Sequence, residues 1–492
     1  MKTLLSLFLL SLPASAALTL PAVFSDHMVL QSGKPVPVWG TADANAEVTV
    51  SIAGQKKTAK ADAEGKWSLK LDALTASAEP QTLTIGDKTI NDVLVGEVWL
   101  GSGQSNMAMT VDRSNDVEGS KAAANLPQIR MFTEGSSASD TAQTQGKGTW
   151  IICTPETVGR FSATAYFFGR TIHEALKTPV GLINSSVGGT PIESWISPEV
   201  QKASEELKPF FAAMKQDDAK FDAEKTKALY ERQVAKWTED VKKAKAEGKP
   251  LPRKPRDPIA TRERKGNVGG LFNGKIAPLI PYAIRGAIWY QGEANSQDPK
   301  APFYQAQLTL LAKDWRARWN DEFAFAWVQL PNFTRAGEGW MIVREQMLNA
   351  LGTIPNSGMA ITLDIGDAKD IHPKNKQEVG RRLALWALGA VYQKDVPAIS
   401  GPLIDTATAK EGKFVLTFKH AKGLQAKGDL TGFEIAGADG EWQPAEAKID
   451  GETVIVSAKA VPQPKNVRYA WKDNPVATLF NGAGIPASPF RK

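Results

Sequence analysis

The side chains best suited to chemistry in this 492-residue chain lie in short segments rich in glycine and polar residues. Ser105 lies in the segment Gly-Ser-Gly-Gln-Ser-Asn-Met, residues 101–107, directly after an apolar run. Glycines allow a sharp turn, which would expose the Ser105 hydroxyl and let its own N–H face a developing oxyanion. The segment lacks Gly-x-Ser-x-Gly spacing, which disfavours the nucleophile elbow of an α/β-hydrolase. Taken alone, such a segment is more often a plain turn.

His372 is the histidine best placed to act as a base. It follows an apolar run, in the segment 364–373 that also carries several aspartates and ends in proline. A neutral imidazole can accept a serine proton, and a neighbouring carboxylate can fix its tautomer and stabilise the imidazolium. The other histidines lie within a predicted helix (His173) or in predicted β regions (His27 and His420). By elimination, His372 is the candidate base.

Two further segments could supply hydrogen-bond donors. The adjacent Gly188 and Gly189 would let a backbone N–H approach a substrate closely, although such pairs are more often turns. The segment 289–295, Trp-Tyr-Gln-Gly-Glu-Ala-Asn, combines aromatic, carboxylate and amide groups. Asn295 could donate its side-chain N–H to an oxyanion, and its more common role would be to cap a turn.

Alternating strand-like and helix-like runs would place all four segments at one edge of a sheet. An apolar run at 93–100 is followed by a helix predicted over Ala163–Leu176, capped by Ser162. The fold class predicted is α/β, a parallel sheet flanked by helices, in which ligands lie at the carboxyl ends of strands. The pattern continues with strands at 180–183, 284–290, 323–330 and 359–363, and helices at 304–319, 341–351 and 377–388.

The chain divides into regions of different pattern. Residues 17–95 are predicted to form an N-terminal β-sandwich domain, because short strand-like runs alternate with Asp, Asn and Gly turns. The catalytic α/β domain is predicted over 96–400, followed by a C-terminal β domain at 401–492. A charged, helix-prone insertion at about 199–265 would either shape substrate access or be a solvated decoration.

The first 16 residues have the pattern of a signal peptide. Lys2 precedes the apolar run Leu4–Leu12, and Ala14-Ser15-Ala16 is typical of a cleavage site. No later run reaches the about 20 apolar residues of a spanning helix, so no membrane span is predicted. We expect the protein to be secreted or periplasmic.

Composition argues against several other classes of protein. The net charge of +6 is modest, and its basic stretch at 240–265 alternates with acidic residues, so no nucleic-acid partner is predicted. The single cysteine, Cys153, cannot form an internal disulfide. Four scattered histidines and no metal-binding motif predict no metal and no cofactor.

Together, the four segments resemble the blocks of the SGNH hydrolase superfamily, in the order Ser, Gly, Asn and Asp/His. The strings GSGQSNM, NSSVGGTPIESW, IRGAIWYQGEAN and DIHPKNKQEVGRRLALWAL are similar to the sialate O-acetylesterase family of carbohydrate esterases. The opening VFSDHMVLQ and the closing VRYAWKDNPVATLFNGAGIPASPF are also similar, so the resemblance covers nearly the whole mature chain.

The resemblance implies a role for each residue. Ser105 would be the nucleophile and His372 the base. The usual position of the acid, three residues before the histidine, is Lys369 here, so Asp370 is the first choice and Asp367 the second. The implied oxyanion donors are the N–H of Ser105, a glycine (Gly189 rather than Gly188) and Asn295. Substrate contacts are expected from Gln104, Trp289, Gln291 and Glu293.

The implied reaction is two-step acyl transfer that removes O-acetyl groups from sugars. Sialic acid is the substrate that the family name implies, and acetylated xylan or another polysaccharide is the alternative. A glycoside hydrolase would instead pair Glu293 with Asp364 and stack a sugar on Trp289 and Tyr290. An inactive carbohydrate-binding protein is the remaining alternative.

Overall fold

The structure is a computed structural model and describes residues 18–252, 254–255, 257–260, 268–297 and 299–492. The predicted signal peptide at 1–16 lies outside the described residues, as does part of the predicted insertion. No helix in the described part of the chain combines the length and apolar composition needed to cross a membrane.

Short strands form the N-terminal region, as the sequence predicts. In Val36–Thr41 and Glu47–Ile52, buried side chains alternate with more exposed ones, because one face of each strand packs on a core. The strands in chain order are β1 (Val29–Gln31), β2 (Val36–Thr41), β3 (Glu47–Ile52), β4 (Gln55–Lys60), β5 (Lys66–Leu71) and β6 (Ser77–Ile85).

One long strand, β7 (Lys88–Gly103), joins this region to the central sheet. Its first half pairs with β6 and β1, and its second half lies between two strands of the central sheet. The end predicted for the N-terminal domain, residue 95, therefore falls inside a continuous strand. The apolar run at 93–100 is buried throughout, which explains its lack of alternation.

The central sheet has the order β13-β12-β11-β7-β10-β8-β9, and all its pairs are parallel except β8 with β9. The chain adds strands on one side of β7 and then on the other, so β7 is the point where the strand order reverses. Ligands bind at such a point, beyond the carboxyl ends of the strands. Its further strands are β8 (Leu126–Thr133), β9 (Trp150–Cys153), β10 (Val180–Ser186), β11 (Gly286–Tyr290), β12 (Ala324–Val328) and β13 (Ser357–Ala360).

Helices accompany the central sheet. Helix α3 has the predicted bounds, Ala163–Leu176, and the Ser162 hydroxyl accepts the Ala165 N–H at 3.2 Å, as expected of a cap. The long helices of the insertion, α5 (Lys208–Ala219) and α6 (Ala223–Ala246), both end before residue 253, the first residue of the insertion that the structure does not describe. The α-helices are α1 (Ser105–Ala108), α2 (Val117–Ala122), α3, α4 (Pro198–Ala203), α5 (Lys208–Ala219), α6 (Ala223–Ala246), α7 (Tyr304–Trp319), α8 (Glu338–Ala350) and α9 (Lys376–Trp386).

The C-terminal region forms small antiparallel sheets, the larger ones ordered β14-β15-β20-β19 and β18-β17-β21-β23. Its strands are β14 (Leu403–Lys410), β15 (Lys413–Lys419), β16 (Gln425–Ala426), β17 (Phe433–Ala436), β18 (Trp442–Pro444), β19 (Glu446–Asp450), β20 (Thr453–Ser457), β21 (Asn466–Tyr469), β22 (Leu479–Phe480) and β23 (Phe490–Arg491).

A buried carboxylate ties β7 to its surroundings. Glu97 accepts hydrogen bonds from Ser32 Oγ at 2.8 Å, from Arg285 Nε at 2.6 Å and from the Tyr392 hydroxyl at 2.9 Å. These partners belong to the N-terminal region, to the approach to β11 and to the segment after α9. Glu97, which lies on β7, therefore connects three separate parts of the chain to the central strand.

Replacing Glu97 should cost much more stability than replacing an exposed carboxylate. Glu97→Ala would leave Arg285 without its buried partner, and we expect a loss of about 3 kcal/mol in the free energy of unfolding. The control is Glu322→Ala, because Glu322 is 80% exposed and lies 3.5 Å from Arg316; it should cost less than about 1 kcal/mol. Urea denaturation followed by tryptophan fluorescence measures both, and equal losses would contradict this assignment.

Candidate active site

Ser105 begins a short helical turn directly after the central strand. Gly103 has a φ of +134°, and a β-carbon there would collide with the Tyr290 carbonyl of the neighbouring strand, so only glycine fits. The Gln104 N–H donates to that same carbonyl at 2.9 Å, and the Gln104 carbonyl accepts the N–H groups of Met107 and Ala108 at 2.9 Å. These bonds turn the chain at the end of β7 and leave Ser105 partly exposed.

The structure brings His372 to this serine. His372 Nε2 lies 2.8 Å from Ser105 Oγ, although 267 residues separate the two in sequence. The His372 side chain is 29% exposed, so one face of the pair is open to solvent. The geometry allows the imidazole to accept the hydroxyl proton directly.

Of the two predicted acids, Asp370 lies beside the imidazole. Its Oδ1 is 3.4 Å from His372 Nδ1 and accepts the His372 backbone N–H at 2.9 Å. Asp367 instead accepts the backbone N–H groups of Lys369 at 2.8 Å and Asp370 at 3.3 Å. Asp367 therefore shapes the loop, whereas Asp370 is positioned to orient His372.

The surroundings of His372 favour its neutral form. Burial lowers the pKa of the imidazole, Asp370 raises it, and the positive charges of Lys376 and Arg113 lower it, with a net decrease. No motif in the sequence marks either cation as part of the site. The segments that carry them are joined where the Asn115 N–H donates to the Lys374 carbonyl at 2.9 Å. At neutral pH the imidazole is therefore available as a proton acceptor.

Gly188 lies beside the serine. A β-carbon at residue 188 would lie 3.4 Å from the Ser105 β-carbon, and the next residue, Gly189, has a φ of +73°. This position makes Gly188 a candidate oxyanion donor beside Gly189, which remains the sequence-based prediction.

Asn295 is not available as an oxyanion donor. It is fully buried, and its Nδ2 donates to Glu193 Oε2 at 3.0 Å and to Gln307 Oε1 at 3.4 Å. Its Oδ1 accepts the Ile192 N–H at 2.9 Å, which fixes the orientation of the amide. The prediction for Asn295 is corrected on this ground, since both amide hydrogens are engaged within the core.

Gln104 and Gln291 share one buried network but differ in what they offer a substrate. Gln291 is fully buried, and its Nε2 donates to Gln104 Oε1 and the Thr190 carbonyl, each at 3.2 Å. Gln104 Oε1 also accepts the Ala294 N–H at 3.2 Å, while its Nε2 has no partner among the described residues. Gln104 remains a candidate substrate contact, and Gln291 becomes a brace behind it.

Trp289 is a core residue and not a platform for a sugar. It is fully buried, and its ring lies edge-on to Trp195 and Trp315, with centroids 6.0 Å apart in each pair. Its Nε1 donates to the Tyr304 hydroxyl at 3.2 Å. Tyr290 is also fully buried, so neither aromatic can stack on a ligand as the glycosidase alternative requires.

The carboxylates of the glycosidase alternative are also engaged elsewhere. Glu293 is buried, and its Oε1 accepts from Asn106 Nδ2 at 2.5 Å. Asp364 is held by Arg382, whose Nη1 and Nη2 donate to its two oxygens at 2.6 and 2.9 Å. The predicted substrate contact of Glu293 is therefore corrected, because Asn106 covers the carboxylate from the side of the serine turn.

The chain is similar to known carbohydrate esterases. The family model for carbohydrate esterases described as sialic acid-specific acetylesterases matches residues 95–248 and 274–388. Sialate O-acetylesterase of Rattus norvegicus is 28% identical over 94% of this chain and 92% of its own length. Its Homo sapiens counterpart is 26% identical over 95% of this chain and 91% of its own length.

A solved structure is also similar over nearly the whole chain. A carbohydrate acetylesterase from Xanthomonas citri is 35% identical, with a TM-score of 0.81, and the match covers 97% of this chain and 99% of that one. The similarity extends through the N-terminal and C-terminal β regions as well as the central sheet.

Asp370→Asn should lower the pKa of the His372 imidazole further, because Asp370 is the carboxylate that raises it. Asp367→Asn is the matched control and should leave that pKa within about 0.3 units, since Asp367 contacts only backbone N–H groups. NMR titration of the four labelled histidines measures both variants. A larger shift in Asp367→Asn than in Asp370→Asn would reverse the assignment.

Proposed function

Because this chain belongs to the sialic acid-specific acetylesterase family of carbohydrate esterases, we propose that it hydrolyses O-acetyl esters on sugars with Ser105 as its nucleophile. The observation that carries the proposal is the 2.8 Å contact between Ser105 Oγ and His372 Nε2 at the carboxyl end of β7. We propose that this contact belongs to an active site of the SGNH type, as the strand-end segments that carry Ser105 and His372 predict. The family assignment made from the sequence is confirmed, and the protein is a carboxylic ester hydrolase.

The reaction begins with attack of Ser105 Oγ on the acetyl carbonyl while His372 Nε2 takes the hydroxyl proton. Asp370 stabilises the imidazolium through its position beside Nδ1. The collapse of the tetrahedral intermediate breaks the ester bond, and His372 returns the proton to the departing sugar hydroxyl. A water activated by His372 then attacks the acetyl-serine and releases acetate.

The oxyanion of each tetrahedral intermediate needs donors on the side of Ser105. We assign this role to the backbone N–H groups of Ser105 and Gly188, together with Gln104 Nε2. Gly188 approaches the Ser105 β-carbon closely, and Gln104 Nε2 lacks a partner within the described ranges. Such donors act most strongly when they are preorganised, and the hydrogen bonds to Gln104 Oε1 from Gln291 and Ala294 hold that amide in place.

The substrate class that we propose is O-acetylated sialic acid, as the names of the curated relatives suggest. Arg113 supports this choice, because its exposed guanidinium is near enough to His372 to lower the pKa of the imidazole and could pair with a sugar carboxylate. Acetylated polysaccharides such as acetylxylan, which lack that carboxylate, are the alternative. We also propose export through the segment 1–16, which would make the enzyme secreted or periplasmic.

Ser105→Ala should abolish acetate release, with kcat falling by about 10⁴-fold or more because no other group can form the acyl-enzyme. Ser186→Ala is the matched control. Ser186 ends the neighbouring strand β10, and its hydroxyl donates to Asn184 Oδ1 at 2.7 Å instead of contacting a histidine. The assay is hydrolysis of p-nitrophenyl acetate by purified, folded variants. Unchanged rates in Ser105→Ala, or a larger loss in Ser186→Ala, would reject the proposed mechanism.

Arg113→Gln should separate the two substrate classes. At pH 8, where His372 is neutral in both enzymes, we expect KM for 9-O-acetylated sialic acid to rise by about tenfold through the loss of one charge-assisted pair. KM for acetylxylan and p-nitrophenyl acetate should change little. The neutral substrates serve as the control within the same variant. Equal changes on charged and neutral substrates, or faster turnover of acetylxylan by the wild type, would favour a polysaccharide acetylesterase.

A further inference from the structure

A lysine with no solvent exposure lies directly beneath the proposed active site. Lys376 is the first residue of helix α9, and its Nζ donates to Asn106 Oδ1 at 2.6 Å. The same Nζ lies 4.9 Å from the centroid of the Tyr290 ring, within the range of a cation–π contact. Burial lowers the pKa of this lysine to about 7, against the opposing effects of Glu293 and Asp370. A buried ammonium is costly, so its retention here requires an explanation.

A buried carboxylate lies on the other side of the same asparagine. Asn106 Nδ2 donates to Glu293 Oε1 at 2.5 Å, and Glu293 Oε2 has no partner in the described ranges. Burial raises the pKa of Glu293, while the hydrogen bond from Asn106 and the charge of Lys376 lower it. The two ionisable groups therefore face each other across one amide, Lys376 at its oxygen and Glu293 at its nitrogen.

The same amide reaches the histidine loop. Asn106 Nδ2 also donates to the Ile371 carbonyl at 3.0 Å. Asn106 directly follows Ser105, and Ile371 directly precedes His372. The side chain thus spans the two backbone segments whose relative position sets the distance between Ser105 Oγ and His372 Nε2.

We propose that Lys376 and Glu293 are positioning residues that lock the Asn106 amide, so that Asn106 holds the serine turn and the histidine loop at the separation needed for proton transfer. The proposal rests on the proposed function, since it assumes that Ser105 and His372 carry the reaction. An ammonium can only donate and an ionised carboxylate can only accept, so the pair permits one orientation of the amide when both groups are charged. With apolar residues at 293 and 376, the amide could rotate and the bond to Ile371 would be lost.

The same arrangement has an electrostatic consequence that a purely structural role would lack. The charged groups that act on His372 are Asp370, Arg113 and Lys376. Lys376 is mostly protonated below pH 7, which includes the range in which His372 titrates, and its charge opposes protonation of the imidazole. Removing that charge should raise the pKa of His372. The acid limb of kcat/KM would then move to higher pH, because the base must be neutral in the free enzyme.

The experiment measures kcat, KM and the pH profile of kcat/KM with p-nitrophenyl acetate for Asn106→Ala, Lys376→Met and Glu293→Gln. We expect kcat to fall by about 10²-fold in Asn106→Ala and Lys376→Met, with KM within about threefold, since small misplacements of reacting groups have effects of this size. Of Asn106→Ala and Lys376→Met, only Lys376→Met should move the acid limb of kcat/KM to higher pH. Glu293→Gln should retain activity to within about tenfold, because its amide oxygen can still accept from Asn106.

Lys275→Met is the matched control for loss of a buried lysine. Lys275 is 4% exposed, and its Nζ donates to the Glu134 carbonyl and, at 3.0 Å, to that of Ser136, away from the serine turn. This variant should keep the wild-type kcat and acid limb even if its stability changes. Circular dichroism shows which variants are folded. If Lys376→Met does not fold, the kcat of Asn106→Ala tests whether the Asn106 amide positions the serine turn and the histidine loop.

Wild-type kcat in folded Asn106→Ala would overturn the proposal, as would an acid limb that moves equally in Lys376→Met and Lys275→Met. In either case, inactivity of Ser105→Ala would leave the proposed function standing. Activity in Ser105→Ala would instead remove the proposed function itself, so the two failures are distinguishable.

Discussion

The hydrogen bond between the Ser105 hydroxyl and the His372 imidazole is the contact on which the rest of the site depends. Its two atoms lie 2.8 Å apart and are separated by 267 residues, so the whole central sheet contributes to the distance between them. The serine turn follows the central strand, at the point where the strand order reverses. The histidine loop precedes α9, which packs on α3 where Gly380 lies against Phe167. Close packing of these elements leaves little freedom in the position of either loop.

Polar groups that are buried next to this contact hold segments of the chain together, whereas those that face the substrate are free to bind it. Asn295 and Gln291 are fully buried and donate to other core groups, so their contribution is to hold neighbouring segments together. Asn106, also fully buried, directly follows Ser105 and donates to the Ile371 carbonyl, so it links the two sides of the proton transfer. Hydrogen bonds in such low-dielectric surroundings are strong when both partners are satisfied and costly when one is missing. The rigidity of the site thus comes from satisfied buried amides around a partly exposed pair.

Much of this could be predicted from the sequence, because the relevant signals are local. Continuous apolar runs and the Ser162 cap located the central strand and helix α3, and strand-end loops located Ser105 and His372. Strand β8 was not predicted, because its Leu-Pro-Gln-Ile-Arg sequence has no clear alternation of apolar and polar residues. The direction in which Asn295 and Trp289 point depends on distant neighbours, which spacing does not encode. Lys376 lies within the string DIHPKNKQEVGRRLALWAL, but only the fold reveals its burial.

Activation of Ser105 by His372 can be measured by labelling with an organophosphonate ester followed by peptide mass spectrometry. The reagent modifies a serine in proportion to its activation by a neighbouring base. We expect a stoichiometric adduct on the peptide containing Ser105 in the wild type, and almost none in a folded His372→Ala variant. An adduct on a different residue, or equal labelling of Ser105 with and without His372, would contradict it.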